Sequence, residues 1–257
     1  MEQEKVNRCR SAQMTDVGCV RELNEDAISS APGLWIVADG MGGHACGEVA
    51  SDLAVKDIAS VHAKTQSLTQ AIQSAHHRVI AAVHEGLGQS GMGTTVVALE
   101  SDNDKYKVAW VGDSRAYLWD ARNSKLTQVS EDHSLMVRLI NAGLLTVEDA
   151  KTHPQRHMIT QCLGSTEIDD VEVGEYENEW DANQQLILCS DGLSDELEDS
   201  AIAEIMQSKK SIEEKTQRLV NSAKQAGGRD NVSVIIIDSP IKKCLSFIER
   251  IRALFGG

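Results

Sequence analysis

Trp35-Ile36-Val37-Ala38-Asp39-Gly40 runs four apolar residues straight into an acid and a glycine, and related arrangements recur along the chain. Val108 to Val111 leads through Gly112 into Asp113, and Leu186 to Cys189 leads through Ser190 into Asp191. Asp230 stands in the opposite order, just ahead of the apolar run Val232 to Ile237, and Glu25-Asp26 lies beside a further strand-like stretch. Short apolar runs bounded by turn residues read as buried strands. If they pair antiparallel, the carboxyl end of one strand lies beside the amino end of the next. Three acids after strands and one before a strand then share one rim.

Carboxylates gathered on a rim repel one another and raise some of their proton affinities unless a cation neutralises them. The economical reading is a multi-metal site. Taken alone, Asp39-Gly40 or Asp191-Gly192 is an ordinary turn signal, and the combination is what carries weight. Gly40 and Gly192 are expected to let the backbone approach an ion closely, and the Gly40 carbonyl adds a further oxygen donor. Hard oxygen donors favour magnesium or manganese over zinc.

Outward from these runs, Ala45 to Val61 has helical periodicity, with Val49, Leu53, Ile58 and Val61 expected on one buried stripe. Ser67 with Gln70 reads as a capping box opening a second helix through Leu68, Ile72, Ala75, Val79 and Val83. Thr94 to Leu99 and Tyr106 to Val111 read as a hairpin around Ser101-Asp102-Asn103-Asp104, whose acids lack the Gly and Glu of a calcium loop. Ser211 with Glu214 opens a last helix that ends at Gly227-Gly228. Strands, two helices, more strands and a helix before a final strand fit an α+β layered fold rather than a βαβ repeat.

The chain of 257 residues suits one well-buried domain, and 25 basic against 39 acidic residues give a net charge of −14. That balance disfavours nucleic acid as a partner. Residues 165 to 199 hold 13 acids and no Lys or Arg, read as a solvated face, with a basic partner surface as the alternative. No apolar stretch approaches a membrane span and no apolar signal region follows the charged start, so a cytoplasmic location is expected. Cys9, Cys19, Cys46, Cys162, Cys189 and Cys244 show no CxxC pair and read as reduced, mostly packed residues.

Read in order, Arg21-Glu22-Leu23-Asn24-Glu25-Asp26, Asp39-Gly40-Met41-Gly42-Gly43-His44, Gly112-Asp113-Ser114-Arg115, Asp191-Gly192 and Gly228-Arg229-Asp230-Asn231 resemble the motifs of the PPM family of metal-dependent serine/threonine protein phosphatases. The likeness covers about Ser11 to Asp238 and has a bacterial character. It implies a four-layer αββα sandwich, two central antiparallel sheets flanked by helix pairs, with the metals in a cleft at one end. It also implies Mn2+ or Mg2+ as cofactor, two ions per site and a weaker third. By motif, Asp39 bridges the two ions and Asp191 and Asp230 complete one site. Glu25, often through water, and the Gly40 carbonyl serve the other. Asp26 supports the cluster by hydrogen bonds, and Asp113 and Asp195 match the third-ion positions. Arg21 matches the family's phosphate-binding arginine, a planar group able to hold two phosphate oxygens; the alternative is a surface charge pair. The implied reaction is in-line attack of an activated water on phosphorus, with no covalent phosphoenzyme.

The family's animal members often carry a histidine directly after the Asp-Gly, where this chain has Met41, which leaves the general acid open among His44, in a structural or proton-donating role, and a metal-bound water. Residues 1–240 are expected to form the phosphatase domain, with an excursion over 131–164 matching the family's variable flap. Within it His153 and His157 are four apart, but Pro154 between them spoils a helical zinc pair, and both read as solvated. Residues 241–257 form an amphipathic basic tail, expected to pack on its own domain or a partner helix, with an anionic membrane surface as the alternative. The implied substrates are phosphorylated proteins made by a bacterial Ser/Thr kinase, acted on by a monomer. The competing reading is a phosphoprotein-binding pseudophosphatase, which should have lost acids from the cluster.

Overall fold

Antiparallel pairing organises the computed structural model, which describes residues 9–42 and 46–241. His44 and residues 242–257, and with them the expectations for that histidine and for most of the tail, lie outside the described residues. One sheet runs in the order β1 (Ser11–Asp16), β11 (Val232–Asp238), β10 (Gln184–Cys189), β7 (Arg115–Asp120), β8 (Lys125–Gln128). The facing sheet runs β2 (Asp26–Ala31), β3 (Leu34–Met41), β5 (Val96–Asp102), β6 (Lys105–Val111), β9 (Gly174–Glu179), with β4 (Gly93–Thr94) paired to the end of β3.

Side chains alternate across each strand, and both faces of the central strands are covered, which is why their apolar runs are unbroken. In β3, Ile36 and Ala38 face the pair α1 (Gly47–Thr65) and α2 (Leu68–His84), where Ala54, Ile58, Ile72 and Val79 close one core. Trp35 and Val37 face the other way, into an inter-sheet core shared with Leu186, Leu188, Ile235 and Ile237. On the far side, Ile187 and Ile236 pack under α6 (Asp199–Gln207) and α7 (Ile212–Ala226) through Ile202, Leu219 and Val220. The order is helix, sheet, sheet, helix, the α+β sandwich anticipated above. Each fully buried Ile, Val or Leu here contributes about 1.5–3 kcal/mol of transfer free energy, so the inter-sheet layer is what fixes the separation of the sheets.

Several local readings change in detail. The buried stripe of α1 passes through Ala50, Ala54, Val55 and Ile58, while Val49, Leu53 and Val61 sit partly exposed beside it. Ser67 accepts the Gln70 N–H at 3.4 Å without the reciprocal bond of a full box, whereas Ser211 and Glu214 cap α7 in both directions. The hairpin tip is tighter than expected: Asp102 pairs with Lys105, leaving Asn103 at φ 54 and Asp104 to make the turn. Of the described cysteines only Cys189 is buried, and Cys19 is exposed.

The excursion holds two short helices, α3 (Leu135–Asn141) and α4 (Val147–Thr152), and is tied down at both ends. His133 N–H donates to the Gly112 carbonyl at 2.9 Å, beside Asp113, and Leu163 exchanges backbone bonds with Thr94 at 3.1 and 2.8 Å. Among the described residues no helix is long and apolar enough to cross a membrane.

Candidate metal centre

Pairing brings the acids together from both sheets. β2 and β3 set Asp26 directly opposite Asp39, on the rim where β6, across β5, ends and leads into Asp113. In the facing sheet β10 ends at Cys189, two residues before Asp191, next to the start of β11 and Asp230. Arg21, Glu25, Asp39, Gly40, Asp113, Asp191 and Asp230 all line one cavity of about 260 Å3 at this end of the sandwich. Asp26 lies behind it, and Asp195 lies beside it, at the C-terminal end of the short helix α5 (Asp191–Ser194).

Close backbone packing requires glycine at both positions. A Cβ on Gly40 would meet the carbonyl oxygens of Gly47 at 2.3 Å and Glu25 at 2.5 Å. One on Gly192 would fall 1.9 Å from the Asn231 carbonyl, so only glycine lets α5 close on the loop carrying Asp230. The same loop is clamped from outside by Arg229, whose backbone N–H and Nε donate to Glu196 Oε1 at 3.0 and 2.8 Å.

A layer of neutral polar groups fixes the acids from behind. Ser190 Oγ donates to Asp26 Oδ2 at 2.8 Å and accepts the Ser233 N–H at 3.0 Å. Asn231 is buried; its Oδ1 accepts the Glu25 N–H at 2.7 Å, and its Nδ2 donates to the Val17 and Leu23 carbonyls. Asp39 N–H donates to Thr95 Oγ1 at 3.3 Å, which is itself 2.7 Å from Ser114 Oγ. Arg115 grips Asp132 through Nε and Nη2 at 3.0, 3.0 and 2.6 Å, pinning the first part of the excursion to the strand that follows Asp113.

Electrostatics follow from this crowding. Burial, then the charges of Asp191, Asp26, Asp113 and Asp230, drive the Asp39 carboxyl well above the usual carboxylate range. Asp191 is raised in the same way, by burial and then Asp113 and Asp195. Asp113 is pushed up to about 7, by burial and then Asp132, and Asp26 to about 6, chiefly by burial. Asp26 Oδ1 and Asp191 Oδ1 are buried with no hydrogen-bond partner. Unpaired buried carboxylate oxygens, an all-oxygen donor set and mutual repulsion fit a divalent cation. The carboxylates surround the cavity without forming a ready-made cage: among the described residues no three His, Cys, Asp or Glu side chains already stand together as a ligand set.

Two placements differ from expectation. Arg21 reaches the rim, and its Nη2 lies 2.7 Å from Asp230 Oδ2, the charge pair that stood as the alternative. His157 is not simply solvated: it lines the cavity, and its Nδ1 is 3.0 Å from Asp195 Oδ2. His153 stays apart, its Nδ1 accepting the Gln155 N–H at 3.2 Å. No spacing in the sequence announces His157, because the path of the excursion alone brings it to the acids.

Residues 20–233 match the sequence pattern of the family Protein phosphatase 2C. The chain belongs to that family. It is 34% identical over 239 residues to the serine/threonine phosphatase stp of Listeria welshimeri, covering 87% of this chain and 93% of the relative. The crystal structure of the Mycobacterium tuberculosis serine/threonine phosphatase PstP/Ppp superposes with a TM-score of 0.82 at 36% identity, over 90% of this chain and 98% of that one. The catalytic domain of PstP in complex with two manganese ions superposes with a TM-score of 0.79 at 34% identity, over 90% and 98% of the two chains.

Proposed function

We propose that this PP2C-family enzyme removes phosphate from serine and threonine residues of proteins by divalent-metal-dependent hydrolysis. The observation that carries the reading is the convergence of Asp39, Asp113, Asp191 and Asp230, from both sheets, on one cavity that also holds Arg21. Relatives named as serine/threonine phosphatases and a manganese-bound relative support it. A binding-only pseudophosphatase finds no support, since none of these acids is missing.

Asp39, Asp191, Asp230, Glu25 and the Gly40 carbonyl are the groups that would hold a metal pair, Asp39 standing between the other acids of the two sheets. Asp26, held by Ser190, keeps Asp39 oriented across the β2–β3 ladder. Asp113 and Asp195 are the residues for a third, weaker position. When bound, two Mn2+ or Mg2+ ions supply positive charge for the phosphoryl oxygens and lower the pKa of an attacking water. Arg21 turns from Asp230 to the phosphate and orients it with its fork of N–H donors. The proton for the departing serine or threonine oxygen comes from a histidine, His44 or the cavity-lining His157, or from water in the site.

Residues 1–240 act as the catalytic unit, 131–164 as a flap beside the cleft, and 241–257 as an appended tail. The substrates are phosphoproteins made by a Ser/Thr kinase in the cytoplasm, and the enzyme works as a monomer. Turnover of para-nitrophenyl phosphate and of a phosphothreonine peptide tests the reaction. Manganese should support both, chelator should abolish both, and Asp39→Asn should lose at least about a hundredfold. Full turnover by Asp39→Asn, or turnover that persists in chelator, would overturn the proposal.

A further inference from the structure

A second and larger cavity, about 980 Å3, opens at the end of the sandwich away from the acids. β3 and β6 each begin at this cavity and end at the metal centre, which places the two sites at opposite ends of the same strands. Both sheets contribute to its wall: Cys9 and Ser11 at the start of β1, and Trp35, Ser101 and Tyr106 from β3, β5 and β6. Tyr106 is only 3% exposed, yet its hydroxyl is buried without a hydrogen-bond partner.

Chain geometry and charge both say what covers it. Asp238 N–H donates to the Arg10 carbonyl at 2.8 Å, and Ile241 packs in the inter-sheet core that includes Cys9. The described chain therefore ends at Ile241, on the same core against which the cavity-lining Cys9 packs. From there, residues 242–257 carry Lys242, Lys243, Arg250 and Arg252 against the single acid Glu249, four positive charges less one negative, and repeat Leu245, Ile248, Ile251 and Phe255 at near-helical spacing. The cavity wall opposes them with Glu100, Asp102, Glu177 and Glu179 against Lys105 and Lys107. Within the wall Lys107 Nζ lies 2.9 Å from Glu175 and 3.2 Å from Glu177, and His62 Nε2 lies 2.6 Å from Glu100, which leaves Asp102 and Glu179 facing Lys105. An amphipathic basic sequence thus follows Ile241, and the cavity near that point is lined by four acids together with Trp35 and Tyr106.

We propose that residues 242–257 seat in this cavity, apolar side chains on Trp35 and Tyr106 and basic side chains on the acidic rim, so that the chain's own tail clasps the two sheets together. Because the metal centre is at the other end of β3, the clasp leaves the acids untouched.

Hydrogen exchange followed by mass spectrometry tests this on the whole protein and on a chain ending at Ile241, with near-ultraviolet circular dichroism as the check on folding. Amides of 30–35 and 100–107 should exchange slower by about tenfold or more in the whole protein. A synthetic peptide of residues 242–257 added to the shortened chain should restore that protection, and the same peptide with its four bases changed to Glu should not. Should the shortened chain fail to fold, the double variant Leu245→Glu, Ile248→Glu of the whole protein gives the same comparison. Equal exchange in whole and shortened chains overturns the proposal. So does protection that appears only with anionic vesicles, which makes the tail a membrane contact, or protection that fades on dilution, which makes the occupant a second copy.

Discussion

Asp113→Asn should make the metal-free protein more stable, and the gain should grow with pH. In the fold the Asp113 carboxyl titrates at about 7, against its ordinary 3.8. Its folded value is raised, so the protonated form is favoured: its contribution is complete below pH 4 and is lost as pH rises through 7. At 1.36 kcal/mol per pH unit, holding this carboxyl at the raised value costs about 4 kcal/mol at pH 8, where it is ionised, and under about 2 kcal/mol at pH 5, where the fold holds it protonated. The carboxylate opens onto water in the cavity, which makes these upper bounds. Asparagine carries no charge, and the desolvation of its amide is the same at both pH values. The pH-dependent part of the gain is therefore at most about 2–3 kcal/mol, or roughly 5–10 °C in melting temperature for a domain of this size. The assay is thermal unfolding of both proteins in chelator at pH 5 and pH 8. A melting-temperature gap that is the same at both pH values, or a variant less stable than wild type at pH 8, would refute the reasoning. Saturating manganese should reverse the ranking, because the ions stabilise the folded wild type more than the variant.

Two further outcomes follow from the same geometry. Ser190→Ala removes the donor to Asp26 and the acceptor for the Ser233 N–H, and should weaken manganese binding by about 10–100-fold in calorimetric titration; unchanged affinity would show that Asp26 needs no such support. His76 is fully buried, accepts the Gly164 N–H on Nδ1 at 3.2 Å, and is pushed below its ordinary 6.5 by burial. With the folded value depressed, its contribution to stability is complete above about 6.5 and is lost as pH falls through the folded value. Urea midpoints of the metal-free wild type should carry this loss as pH falls below about 6.5, and His76→Gln should show a shallower dependence over the same range; identical slopes would remove the histidine from the account.

How much was legible in the sequence depended on how each element is buried. β3, β6, β10 and β11 are covered on both faces, so their apolar runs stand out, and the acids at their ends could be placed on one rim before any coordinates. The edge strands β1 and β9 read Ser-Ala-Gln-Met-Thr-Asp and Gly-Glu-Tyr-Glu-Asn-Glu, half-solvated and polar, and give no comparable signal. Ionic ligands announce themselves because Asp at a strand end is chemically conspicuous. Ser190, Asn231 and Thr95 are ordinary turn and strand residues in the sequence, and their role exists only as hydrogen bonds across long separations, such as the one from Glu25 to Asn231. Gly40 and Gly192 were legible as special positions, and the neighbouring carbonyls that crowd them are a reason the sequence does not show.

The acids come from both sheets, Asp39 and Asp113 from one and Asp191 and Asp230 from the other, so the gap between the sheets acts as a calliper for the site. Val37, Val108, Leu188 and Ile235 set that gap without touching the cavity. A change in the thickness of this oily filling, even far from the acids, is transmitted as a change in spacing between the two jaws. Selection on ion grip is therefore also selection on the volume of the sandwich's interior, and the two cannot drift independently.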